Sequence, residues 1–326
     1  MNSDAPYSEL SPETVLDAIE TIGYRCDGRV LALNSYENRV YQIGIEDGDP
    51  LVAKFYRPAR WTDAAIREEH AFSGELAAQE IPVVAPLVRD GISLHVHRGF
   101  RYAVFPRRGG RWPELGTRDE REWVGRFLGR IHAVGRAGRF FERGRLSIEE
   151  LGVKARDFVL DGDWMPDYLA TKYADLTDEL LDEIDARAHD WRGAAVGRIL
   201  GDCHRGNILW TDLGPHFVDL DDCLTGPAIQ DLWMLLAGGQ QEMRSGLNDL
   251  LKGYEQFQAF DRSEIALIEP LRALRMIHYS GWLARRWHDP AFPQAFPWFA
   301  EPRYWEDHYR ALEEQLAAVT AAPLEL

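Results

Sequence analysis

The sequence predicts an α+β protein of two lobes. A small N-terminal lobe on an antiparallel sheet occupies residues 1–105, and a larger, mostly helical C-terminal lobe occupies 106–326. Three observations predict it. The chain has 326 residues, which at roughly 150 per domain makes about two. Short extended-type runs separated by turn residues fill the first hundred positions. From Pro106 onward a Gly-Gly breaker cluster gives way to long helical segments.

The elements follow in order. Ser11 is a good N-cap and Pro12 suits the first helical position, so 11–23 reads as a short helix stopped by Gly23. Arg29 to Leu33, Arg39 to Ile45 and Leu51 to Tyr56 read as three strands, the last after the turn Asp47-Gly48-Asp49-Pro50. A helix capped by Thr62 or Asp63 runs to Gln79 and buries Ile66, Phe72 and Leu76. Strands near Gly91–Val96 and Phe100–Phe105 complete a five-strand sheet. A helix over about 119–134 opens the second lobe, and 140–195 reads as helical and polar. Within it, 175–190 carries seven acids and one arginine, the pattern of a solvated helix face. Strands are predicted at 197–200, 208–211 and 216–220. Helices follow at 228–238, 245–258, 263–288 (with Pro270 inside) and 302–318.

Composition narrows the function. With 37 basic and 53 acidic residues the net charge is −16. That argues against a nucleic-acid binder, which needs a basic face to displace counterions. Any phosphate-bearing ligand must be held by a few placed cations or a metal. Three cysteines, with no C-x-x-C pair, imply neither a disulfide framework nor a zinc knot. No start resembles a signal peptide, and no apolar run approaches the roughly 20 residues of a membrane span. The expectation is a cytoplasmic monomer without a membrane or nucleic-acid partner.

The chemistry concentrates in LGDCHRGNILW, Leu200 to Trp210, followed by HFVDLDD, His216 to Asp222. An acid and an amide five residues apart, then a hairpin returning a second acid, build one compact site. Asn207 offers a carbonyl oxygen and Asp219 a carboxylate, both hard ligands suited to Mg²⁺. Asp202 is then free to accept the proton of an attacking hydroxyl, the division of labour of phosphoryl-transfer sites. Asp221 shares a strand face with Asp219 by alternation and is a candidate to assist the metal. Upstream, Lys54 sits centrally in LVAKFY and is the only lysine in the first 150 residues. A lysine at this place on a third strand can hold α- and β-phosphates as a compact point charge. Its orienting acid is Glu69, which shares a helix side with Phe72 and Leu76, in preference to Glu68. The turn Asn34 to Arg39 occupies the place of a phosphate-covering loop but has no glycine; Ser35 and backbone N–H groups remain to cap phosphates, and a plain hairpin turn explains the same residues. Phe105-Pro106, between the lobes, is where an adenine edge would meet backbone groups, though the side chains there say little. Asp231 is expected to brace the catalytic loop. Cys203 and His204 lack further ligands at metal spacing.

LNSYENRVYQ, VAKFYRPARW, GDCHRGNILW, FVDLDD, GPAIQDLWMLL and DPAFPQAFPWF resemble the aminoglycoside phosphotransferase and choline kinase branch of the protein-kinase-like fold, and within it the bacterial stress-response Ser/Thr protein kinases. The likeness spans nearly the whole chain. It implies the two-lobed kinase fold and an ATP- and Mg²⁺-dependent transfer to protein Ser/Thr hydroxyls. It further implies Asp202 as proton acceptor, Asn207 and Asp219 as magnesium ligands, Ser35 as an ATP contact, and Lys54 with Glu69 as the phosphate-orienting pair. Small-molecule acceptors stay open. The glycine-free turn and Leu200 keep open a partner-binding chain that transfers nothing. The family commonly has histidine where Leu200 stands. Leucine keeps the packing and forgoes a hydrogen bond, an expected loss of about 0.5–1.5 kcal/mol in bracing.

Overall fold

The computed structural model describes residues 6–187 and 196–326. In the N-terminal lobe, α1 (Pro12–Thr21) starts where Ser11 accepts a hydrogen bond from the Thr14 N–H. It buries Val15, Ala18 and Ile19 against the sheet. The strands are β1 (Cys26–Leu33), β2 (Arg39–Ile45), β3 (Leu51–Phe55), β4 (His95–His97) and β5 (Phe100–Pro106), in the order β1-β2-β3-β5-β4, every neighbour antiparallel. Lys54 therefore stands on the central strand, opposite Val40 on one side and Ala103 on the other. Helix α2 (Asp63–Ala78), capped by Thr62, lies between β3 and β4 in sequence.

Two strand boundaries differ from expectation. β1 begins three residues early, with a register shift between Cys26 and Val30. β4 is only three residues long. Asp90 and Gly91 both take positive φ, and Arg89 and Ile92 exchange backbone hydrogen bonds across them. That makes residues 89–92 a tight hairpin turn rather than the start of a strand.

The C-terminal lobe opens with α3 (Arg118–Ala137), whose Thr117 and Glu120 form a capping box. A π-helical turn at Glu149–Val153 leads into α4 (Lys154–Leu160), then α5 (Asp167–Arg187). The acid-rich stretch lies on α5 as far as Arg187; its last three residues are outside the described part. Four short strands form two hairpin-like pairs: β6 (Gly197–Ile199) with β9 (Leu224–Gly226), and β7 (Ile208–Thr211) with β8 (Gly214–Phe217). β9 was not expected. Helices α6 (Ile229–Trp233), α7 (Gln240–Tyr254), α8 (Ile268–Arg286), α9 (Ala291–Ala295) and α10 (Pro302–Thr320) complete the lobe. α6 is half the predicted length, and α7 starts five residues early. The helix predicted over 263–288 begins as a 3₁₀ turn at Arg262–Leu267. Pro270 thus falls in the first turn of α8, where no intrahelical hydrogen bond is lost.

The lobes share a core. One face of α2 carries Phe72 and Leu76 into the large cluster that includes Leu128, Ile131, Leu232 and Trp305. The linking segment also pairs across: Val84 N–H donates to Phe217 O, and Phe217 N–H to Pro82 O. The C-terminal aromatic residues are mostly core, with Phe292, Phe299 and Trp305 fully buried.

His308 of α10 accepts or donates at Nε2 to Ser280 Oγ (3.1 Å) and stacks on Tyr304. Burial pushes its pKa from 6.5 down to about 4. The unfolded chain then takes up the proton first as pH falls. Stability from this group is complete above 6.5, is lost between 6.5 and about 4, and changes no further below. Chemical unfolding of the native chain between these pH values is expected to lose up to about 3 kcal/mol more than His308→Gln does.

Candidate active site

Five segments converge between the lobes. β3 supplies Lys54, α2 supplies Glu69, and the turn before β2 supplies Ser35. The loop after β6 supplies Asp202 and Asn207, and the segment after β8 supplies Asp219. They border a cleft of about 410 Å³ lined by Ser35, Lys54, Glu69, Asn207 and Asp219 among polar groups. Val40, Val52, Phe105, Leu209 and Val218 give it apolar walls, and Pro106 lies beside Phe105. A flat aromatic base fits between such walls while its phosphates reach the polar end.

Lys54 is withdrawn from water, its side chain 6% exposed. Its Nζ lies 2.8 Å from Asp219 Oδ1, 3.2 Å from Asp221 Oδ1 and 3.4 Å from Glu69 Oε1. Burial alone lowers a lysine pKa; the three carboxylates outweigh it and hold Lys54 well above the usual range. Glu69 is oriented from its other oxygen by Arg143 Nη2 at 3.4 Å. Burial pushes Glu69 upward against the pull of Lys54. Glu68 faces the other way and accepts the backbone N–H groups of Phe141, Glu142 and Arg143. Of the two glutamates, Glu69 is the one that reaches Lys54.

The loop bearing Asp202 is held by its main chain. Asp231, fully buried on α6, accepts from Leu200 N–H (2.7 Å) and Gly201 N–H (2.8 Å), and His132 Nε2 lies 2.9 Å from it. Gln230 Nε2 donates to Gly201 O. This brace binds backbone atoms, so leucine at position 200 leaves it in place; the expected weakening does not arise from these contacts. Gly201 has φ +82°, and a Cβ there would meet Asp222 O at 2.2 Å. Gly201→Ala is therefore expected to displace the loop and cost at least about 1–3 kcal/mol in a denaturation titration.

His204 caps the turn that follows it. Its Nδ1 accepts from Gly206 N–H (2.9 Å), and its Nε2 sits 3.4 Å from Asp202 Oδ2. Arg275 of α8 donates from Nη1 to Asp202 Oδ1 at 2.6 Å. Burial raises the Asp202 pKa, but His204 and Arg275 outweigh it and hold the carboxyl well below the usual range. Asn207 donates from Nδ2 to Asp202 O (3.0 Å), which turns its carbonyl Oδ1 free as a ligand. Asp219 sits in the left-handed region at φ 56°, with its side chain 47% exposed to the cleft. Among the described residues no group of three or more His, Cys, Asp or Glu is placed to hold a metal. Asn207 and Asp219 offer two oxygens, which fits a hard divalent cation completed by phosphate and water.

Asp221 departs from expectation. The strand predicted through 220 ends at Phe217, and the left-handed turn at Asp219 breaks the alternation. Asp221 is 3% exposed and does not line the cleft; it is bonded by Asn38 Nδ2 (3.0 Å) and ion-paired with Arg60 and Lys54. These contacts tie the lobes together. Ser35 borders the cleft but spends its hydroxyl on Asn38 O. The turn it belongs to is pinned. Glu37 meets Arg57, Arg286 and Trp282 Nε1, and Asp289 receives both Arg39 and Arg57. The pairings of Arg143, Asn38, Glu37, Asp289 and Arg275 were not legible in the sequence, because each acts on a partner far along the chain.

Residues 29–268 match the phosphotransferase enzyme family, and the chain belongs to that family, with its two-lobed, kinase-like fold. Its relatives are more particular. Stress response kinase A of Escherichia coli (strain K12) is 46% identical over 326 residues, covering 100% of this chain and 98% of that one. Serine/threonine protein kinase RdoA of Salmonella typhimurium (strain LT2) is 46% identical over 328 residues, covering 100% and 99%. Among solved structures, amicoumacin kinase hAmiN in complex with AMP-PNP, Ca²⁺ and Ami shares the fold with a TM-score of 0.75 at 20% identity, covering 96% of this chain and 94% of that one.

Proposed function

We propose that this chain transfers the γ-phosphoryl group of ATP, with Mg²⁺, to Ser or Thr hydroxyls of proteins in a bacterial stress response. The observation that carries it is the meeting of Lys54 and Asp219, 2.8 Å apart from opposite lobes, in one cleft with Asn207. The relative named as a Ser/Thr protein kinase favours a protein acceptor. Among the described residues no helix is long and apolar enough to cross a membrane. We take the chain to act as a cytoplasmic monomer, with its lobes divided at residues 105 and 106.

In this reading the cleft binds ATP with adenine near Phe105-Pro106 and phosphates toward Ser35 and Lys54. Asn207 and Asp219 hold the metal, which offsets phosphate charge when bound. Lys54, oriented by Glu69, neutralises the non-reacting phosphates. Asp202 aligns the acceptor hydroxyl with the γ-phosphorus and takes its proton as the new O–P bond forms and ADP departs. Positioning and charge neutralisation supply most of the acceleration.

The test is transfer from labelled ATP to protein. Lys54→Met is expected to lower it about 10²–10³-fold. Equal transfer by the two chains removes the site from consideration. Rapid turnover on one small hydroxyl-bearing metabolite, with none on protein, replaces the protein acceptor by a small molecule.

A further inference from the structure

Asp202 does not border the nucleotide cleft, although Asn207 and Asp219 do. Beside its carboxylate stands helix α8, whose Arg275 bonds Asp202. Arg275, His278, Tyr279, Trp282 and Arg286 recur at three- and four-residue spacing, on one stripe of the helix. At one end Arg275 bonds Asp202; at the other, Trp282 and Arg286 bond Glu37 of the phosphate-side turn. Between them Tyr279 stacks on Trp282, with ring centres 5.7 Å apart, and stays 39% exposed.

Arg275 is the informative residue. Its side chain is 44% exposed. Only one of its five N–H groups has a partner among the described residues, and that partner is Asp202. No other carboxylate there lies within ion-pair distance of it. A guanidinium with spare donors beside the hydroxyl-accepting carboxylate repels a cationic acceptor and matches an anionic one. Tyr279, one turn along, offers an apolar face for the neighbouring residue.

We propose that α8 is the acceptor-recognition wall, with Arg275 the specificity determinant that selects a polypeptide hydroxyl flanked by an acidic residue. This rests on the protein-kinase reading above. The probe is a positional-scanning set of serine peptides in which each flanking position in turn is Glu, Ala or Lys, assayed with the full chain, ATP and Mg²⁺. The readout is the ratio of kcat/KM for Glu over Lys at each position, from which any general loss of activity cancels. For the native chain the ratio at one position is expected to reach about tenfold or more. It should fall near unity in Arg275→Gln and invert in Arg275→Glu, while the KM for ATP stays unchanged. Transfer with no acidic preference, or the same preference in both variants, overturns this inference and leaves the kinase reading standing. No transfer to any peptide overturns both.

Discussion

Asp202→Ala is expected to lower phosphoryl transfer about 10²–10⁴-fold, the usual loss for a positioned proton acceptor. Nucleotide affinity is expected to stay within about threefold, since a side chain outside the cleft adds little to ground-state binding. In the proposed reading the two measurements separate, because Asp202 stands outside the cleft that Lys54, Asn207 and Asp219 border. His204 and Arg275 hold the carboxylate ionised. So strongly acidic a group is a weak base at neutral pH. In the proposed reading its contribution lies in aligning the hydroxyl and receiving the proton late, when the new bond is largely formed. Asp202→Asn keeps the alignment in part and should retain more activity than alanine. Single-turnover transfer and nucleotide titration on both variants check this. A matched loss of affinity and turnover contradicts the assignment.

The largest structural effect is expected from Asp231→Ala. This carboxylate is fully buried and takes three hydrogen bonds, from His132, Leu200 and Gly201. Alanine strands two backbone N–H groups and an imidazole away from water. Removing one partner of such a buried set costs about 3–5 kcal/mol, a large share of the 5–15 kcal/mol by which a domain is stable. His132 is further bonded at Nδ1 to the Tyr254 hydroxyl (3.0 Å), so the disturbance reaches α7. Asn at 231 offers one acceptor and turns an N–H₂ toward another donor, so it should recover less than half of the loss. Chemical denaturation midpoints check the order native, Asn, Ala. An Ala variant as stable as the native chain would show that the catalytic loop is held by something else.

What the sequence made legible was local. The extended run LVAKFY put Lys54 on a third strand, helix spacing chose Glu69 over Glu68, and the step from Asp202 to Asn207 with the hairpin after it predicted one compact site. What it hid was distant pairing. Asn38 and Asp221 are 183 residues apart, and Arg57 and Asp289 are 232 apart. No periodicity links such partners. Asp221 shows the cost of a local rule: alternation holds only while backbone stays extended, and Asp219 leaves that region. Arg143, buried among Glu69, Asp221 and Cys223, looks in sequence like one arginine in an arginine-rich stretch.

The turn over the phosphate end lacks glycine and is fastened by Arg57 to Asp289, whose side chains are 4% and 3% exposed. Dissolved ions reach such a pair far less than they reach a surface one. The turn above the cleft is thus fastened to the short segment between α8 and α9 by a pair that salt screens far less than ordinary surface charges.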